Sequence, residues 1–158
     1  MSISTVIRNT TVLLLLGASS LAFSAKNGEK SGAWEYACQG NECVLSQVVK
    51  DGQGDLGMAF VIKAKNGKQS VYVLNMIFPL GVTIPMMASV SLDGTKLGDA
   101  PFAFCDQRGC NILPITLDPE LLAKLKSGSN LKVKIHFGNK AKDANFSLKG
   151  FTKGVEGL

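Results

Sequence analysis

Two cysteine pairs of identical spacing constrain this chain more than any other feature: Cys38-Gln-Gly-Asn-Glu-Cys43 and Cys105-Asp-Gln-Arg-Gly-Cys110. Each pair encloses polar, turn-forming residues, and each is flanked by residues of strand character. A glycine-containing loop of that length lets two thiols meet across a tight turn. Four cysteines allow three pairings, and the turn chemistry favours the local ones, 38 with 43 and 105 with 110. Such bonds persist only where the surroundings are oxidising. The same four thiolates form a formal zinc set, which an oxidising compartment disfavours. A redox role fits poorly, because redox pairs use the tighter Cys-x-x-Cys at a helix start.

The first 25 residues agree with an oxidising destination. They carry one basic residue, Arg8, and no acid, followed by Val12-Leu13-Leu14-Leu15-Leu16-Gly17-Ala18 and a zone of small residues. That order is a secretory signal peptide with cleavage within residues 22–25. The apolar run is shorter than the ~20 residues a membrane span needs, and no later stretch is long and apolar enough. Residues 26–158 then form a single exported domain, periplasmic, outer-membrane associated or secreted, with no transmembrane segment in the mature form.

Short apolar alternations separated by turn signals point to an all-β domain. Asn66-Gly67 and Asp93-Gly94 are hairpin signals. Between them, Pro79-Leu80-Gly81-Val82-Thr83-Ile84-Pro85 carries two prolines and reads as a crossover or an exposed apolar loop. One helix is expected over residues 119–127. Asp118 caps it, Pro119 opens it, Leu121, Leu122 and Leu125 form its apolar stripe, and Gly128 stops it. Residues 145–151 read as the last strand. The sum is an immunoglobulin-like two-sheet β-sandwich with one short helix and two disulfide-closed hairpins; a small β-barrel is the alternative.

Charge is concentrated in the C-terminal third. Lys124, Lys126, Lys132, Lys134, Lys140, Lys142, Lys149 and Lys153 face only Glu120 and Asp143 over residues 120–153. These lysines are the candidate surface for an anionic envelope or host-surface component, or for another envelope protein, although lysines on outward strand positions also protect sheet edges. Nucleic acid is excluded by compartment and by the lack of aromatic residues interleaved with basic ones.

Catalytic sets are sparse. His136 is the only histidine. A hydrolase would need it together with a serine such as Ser89 or Ser91, and no Gly-x-Ser-x-Gly elbow is present. A copper site would need His136 with Met86 and Met87, which read more simply as core filling. The residues therefore call for no catalytic role, no metal and no cofactor.

Several landmarks together resemble a known family. They are Trp34 ahead of Cys38 and Cys43; Phe78-Pro79-Leu80-Gly81-Val82-Thr83-Ile84-Pro85; Val90-Ser91-Leu92-Asp93-Gly94; Pro101-Phe102 with Cys105 and Gly109-Cys110; Leu125-Lys126-Ser127-Gly128; and Ser147-Leu148-Lys149-Gly150-Phe151. In this order they resemble the invasion-associated locus B family of bacterial envelope and secreted proteins, over nearly the whole chain after the leader. The resemblance implies an immunoglobulin-type β-sandwich behind a leader, associated in some bacteria with entry into host cells. It carries over no catalytic residue. The chain departs from the family after Gly150-Phe151, where Thr152-Lys153-Gly154-Val155 replaces a more apolar tail.

Overall fold

The computed structural model describes residues 27–158, so the expected leader lies outside the described residues. Two antiparallel sheets face one another. The larger is built from β1 (Lys30–Ser31), β2 (Trp34–Gln39), β3 (Glu42–Asp51), β4 (Gly54–Asn66) and β5 (Gln69–Phe78) in sequence order. Beyond β5 it continues through β9 (Gly109–Ile112) to β8 (Phe102–Asp106), while β10 (Ile115–Leu117) pairs with the first half of β5. The smaller sheet has the order β12 (Lys140–Ser147), β11 (Asn130–Phe137), β6 (Ala88–Leu92), β7 (Thr95–Ala100). The sheets do not close on each other, so the sandwich holds and the barrel does not. Among the described residues, no helix is long and apolar enough to cross a membrane.

The turns follow from their residues. Gly67 takes φ +62° in the β4–β5 hairpin, as an Asn-Gly turn requires. Asp93 takes φ +47° between β6 and β7, and its carboxylate accepts the backbone N–H groups of Ser129 and Asn130. One turn residue thereby fixes the start of β11 beside β6. The stretch 51–55 is a tight turn, with the Asp51 carboxylate accepting the Gln53 N–H at 2.8 Å.

Alternation along the strands sends one set of side chains between the sheets. Leu45, Val61 and Met76 from the larger sheet meet Val133, Ile135 and Phe146 from the smaller, all fully buried. Burial of such side chains contributes about 1.5–3 kcal/mol each and is the main force holding the layers together. Polar ties add register. Buried Gln47 on β3 donates to the Ser147 carbonyl and accepts the Ser147 N–H, a two-point clamp from one sheet to the edge strand of the other.

Helix α1 (Pro119–Ser127) forms where expected; the Asp118 side chain accepts the Leu121 N–H and Leu125 is buried. The chain end differs from the expectation. β12 stops at Ser147, and a second helix, α2 (Phe151–Glu156), follows in place of a strand running through Phe151. Gly150 makes the corner at φ +85°. Phe151 meets the ring of Trp34 edge-on at 5.3 Å, and the Tyr36 hydroxyl donates to the Gly154 carbonyl at 2.8 Å. Packing against β2 outweighs the weak helix propensity of this segment.

The segment after β5 crosses between the sheets. Val82 is buried there, while Leu80 and Ile84 are exposed and Ile84–Met86 forms a 3-10 turn. Met86 and Met87 are 50% and 43% exposed, which corrects their reading as core filling. The 3-10 turn leaves both side chains outside the packed interior, just before β6.

Candidate functional site

Both cysteine pairs are disulfide-bonded as the turn chemistry suggested, Cys38 to Cys43 and Cys105 to Cys110. In each case the cysteines stand directly opposite one another at the end of a hairpin, β2–β3 and β8–β9. Arg108 in the second turn donates to the Asp106 carboxylate at 2.8 Å, and this bond holds the Asp106 pKa below the ordinary carboxylate value. Cys110 is buried, Cys38 and Cys43 are half-buried and Cys105 is exposed, and each bond clasps its own local turn.

The outer face of the smaller sheet gathers the polar side chains. On β11, Lys132, Lys134 and His136 point outward because Leu131, Val133 and Ile135 point in. Register sets Lys132 opposite Ser91 and Asn145, and Lys134 opposite Ser89 and Asp143. Asp143 lies 3.8 Å from Lys132, and Lys134 has no carboxylate within ion-pair distance among the described residues. At the sheet edge, Lys96 bonds to Asp99 at 2.8 Å. That bond, with a second from the Ser89 hydroxyl, keeps the Asp99 pKa below its ordinary value.

The other lysines are dispersed. Lys124 pairs with Glu120 along α1, which raises its pKa, and Lys126 bridges to Glu156 of α2. Lys142 reaches across the layers to Asp51 and Gln53. Lys140 is exposed in the β11–β12 hairpin, Lys149 in the turn before α2, and Lys153 lies on α2. Of the eight candidates, the fold brings only Lys132 and Lys134 onto one sheet face.

His136 shares that face with Lys134, and its backbone carbonyl accepts the Thr83 N–H. Ser89 and Ser91 lie on it too, but Ser89 bonds to Asp99 and stands opposite Lys134 rather than His136. Sequence reading missed the hydroxyl and amide groups from Ser89, Ser91, Asn130 and Asn145 that surround the lysines. Only the pairing register of three strands reveals them.

A cleft of about 510 Å³ opens at the side of the sandwich, between β7 and the segment leading into α1. Core residues Leu74, Val90, Leu125 and Leu131 form its floor, and half-exposed Leu97 and Leu113 flank its mouth. Among the described residues β7 pairs with a strand on one side only, and its residues 97–100 line this cleft.

Comparison with known proteins agrees with the architecture. The solved structure of invasion associated protein B from Bartonella henselae shares the fold at a TM-score of 0.69 and 21% identity, covering 80% of this chain and 92% of that one. Invasion protein B homologs from two Brucella abortus strains, 2308 and biovar 1 strain 9-941, are each 30% identical over 125 residues, or 75% of this chain and 70% of theirs. The family model described as Invasion associated locus B (IalB) protein matches residues 34–158, from the core tryptophan through α2. The chain therefore belongs to the invasion-associated locus B family.

Proposed function

We propose that this protein is an exported, non-enzymatic binding module of the bacterial envelope, acting in host-cell contact or envelope maintenance. It meets an anionic component of the envelope or host surface through the outer face of its smaller sheet. One observation carries the reading: Lys134, which has no carboxylate within ion-pair distance among the described residues, stands beside Lys132 within a field of hydroxyl and amide groups from Ser89, Ser91, Asn130 and Asn145. Ammonium groups supply attraction to anionic groups, and the surrounding hydroxyls and amides supply hydrogen bonds to sugar or phosphate oxygens. The two disulfides suit the oxidising compartment that such a role requires.

The test is binding of the folded domain to a sulfated polysaccharide across a salt series. Binding should weaken steeply with salt, and Lys132→Gln with Lys134→Gln should reduce affinity by about tenfold, the loss of roughly 1.4 kcal/mol. Binding indifferent to salt and to both substitutions would refute the electrostatic face. A second reading, capture of an extended client segment as an envelope chaperone, is favoured by the free edge of β7 beside the apolar cleft. The same assay with an extended apolar peptide separates the two. Peptide binding lost on Leu97→Lys but kept in the lysine variant assigns contact to the cleft, and no peptide binding removes this reading.

A further inference from the structure

The two sheets treat their outer faces differently. The smaller sheet follows the usual antiparallel rule, with apolar residues inward and lysine, serine and asparagine outward. The larger sheet breaks it. In its middle three strands, register aligns Val44, Ile62 and Val73 in one outward row and Val48, Met58 and Ile77 in another. Between these rows lies a third, Ser46-Phe60-Asn75. None of the nine carries a charge; Val48 is exposed, Ile77 is 8% exposed beside Gly109, and the other seven are half-buried. A shallow concavity lies over part of this grid, and Phe104, 55% exposed on β8, continues the Val48-Met58-Ile77 row beyond Asn111 of β9.

The geometry points to a second copy of this chain as the occupant of this face, packed sheet against sheet about a two-fold axis. Symmetry supplies the first argument. An axis along β4 sets Val44 against Val73, Val48 against Ile77 and Ser46 against Asn75. An axis across the strands sets row against row, with Ser46 on Ser46 and Asn75 on Asn75. Either way apolar groups meet apolar groups and polar groups meet polar ones, as an isologous interface requires.

Charge supplies the second. The chain has a formal net charge of +5, yet the borders of this face balance their charges: Lys50 pairs with Asp55 and Arg108 with Asp106, and Glu35, next to Ser46 in the polar row, stands opposite Lys30. The lysines of the C-terminal third lie on other elements. Packing through the larger sheet is thus the arrangement that keeps the basic faces of two copies farthest apart. Area supplies the third. Strand spacing and rise give about 32 Å² of sheet per outward residue, so the grid and its flanking positions offer roughly 400 Å² per copy. The pair would bury roughly 800 Å² of projected face, which places the dimer among weak, reversible associations.

This inference stands apart from the anion-binding proposal and is tested without any ligand. Sedimentation velocity of the folded domain from about 10 µM to 1 mM should show a monomer giving way to dimer as concentration rises. Added salt should leave this unchanged or strengthen it, the opposite of its expected effect on polysaccharide binding. Val48 is 47% exposed, so Val48→Lys should keep the fold, by thermal melt, while holding the chain monomeric throughout. Lys134→Glu, on the opposite face, should leave association intact. A wild-type chain that stays monomeric at 1 mM would overturn the inference. So would association untouched by Val48→Lys and by Met58→Lys.

Discussion

At the residue scale, two glycines show how little room the fold leaves at one crossing. Gly32, between β1 and β2, has φ +63°, and Gly150, before α2, has φ +85°. A Cβ on Gly32 would collide with the Lys149 carbonyl, and one on Gly150 with the Ser31 carbonyl. The Ala33 N–H donates to the Lys149 carbonyl and the Ser31 hydroxyl to the Gly150 carbonyl, so the two backbones are locked face to face. Gly150→Ala should therefore cost more than 2 kcal/mol, roughly the sum of a left-handed penalty and a displaced contact. Gly138→Ala is the control, having a similar φ of +58° and open space around it; it should cost only about 1 kcal/mol. Denaturant melts would measure both, and equal losses would show that backbone strain alone governs these positions.

At the element scale, the pairing of Asp51 with Lys142 joins the β3–β4 turn to β12 of the facing sheet. The hydrogen bond from Lys142 lowers the Asp51 pKa below 3.8, and the Gln53 N–H adds to it. A lowered folded-state value means stability that is present above pH 3.8 and is lost as pH falls through the lower value of the folded protein. Asp51→Asn should flatten that acid limb in urea melts taken from about pH 5 down to pH 2. An unchanged limb would assign the acid sensitivity to Asp99 and Asp106, whose pKa values are lowered by Lys96 and Arg108. Elements were legible in the sequence where a local signal announced them. Asp118-Pro119 marked α1, and Asn66-Gly67 marked the long central hairpin. Helix α2 was not legible, because Gly150 has no side chain with which to cap it and Gly154 sits inside it. Its stability comes from contact, since a Cβ at Gly154 would press into the Leu45 side chain. No local pattern carries that information. The exposed Met86 and Met87 were misread for the matching reason: residue type suggested a core that the 3-10 turn steers them away from.

At the scale of the whole molecule, both disulfides lie within single hairpins, so neither ties one sheet to the other. The sheets are held together by the interior itself and by clamps such as Gln47 on Ser147. Each short ring contributes about 2 kcal/mol in the chain-entropy model. Full reduction should lower the melting temperature by roughly 10–20 °C and leave the domain folded at room temperature. Loss of the near-ultraviolet signal of Trp34 on reduction at 25 °C would contradict this and make the rings essential. The two-sheet class followed from strand number and turn spacing. The joining of β9 to β5, and hence the makeup of either outer face, followed from neither. Pairing between distant strands is decided by which faces bury together, and the proposed contact face and the proposed dimer face both depend on it.

The Trp34 indole donates to the Ser147 carbonyl, and the Tyr36 hydroxyl to that of Gly154. On a ribosome, each of these donors emerges more than a hundred residues ahead of its acceptor. For most of translation β2 can pair with β3, but its two inward-facing aromatic side chains lack their native acceptors. Closure of the interior over Trp34 and Tyr36 therefore waits for the last strand and the late helix.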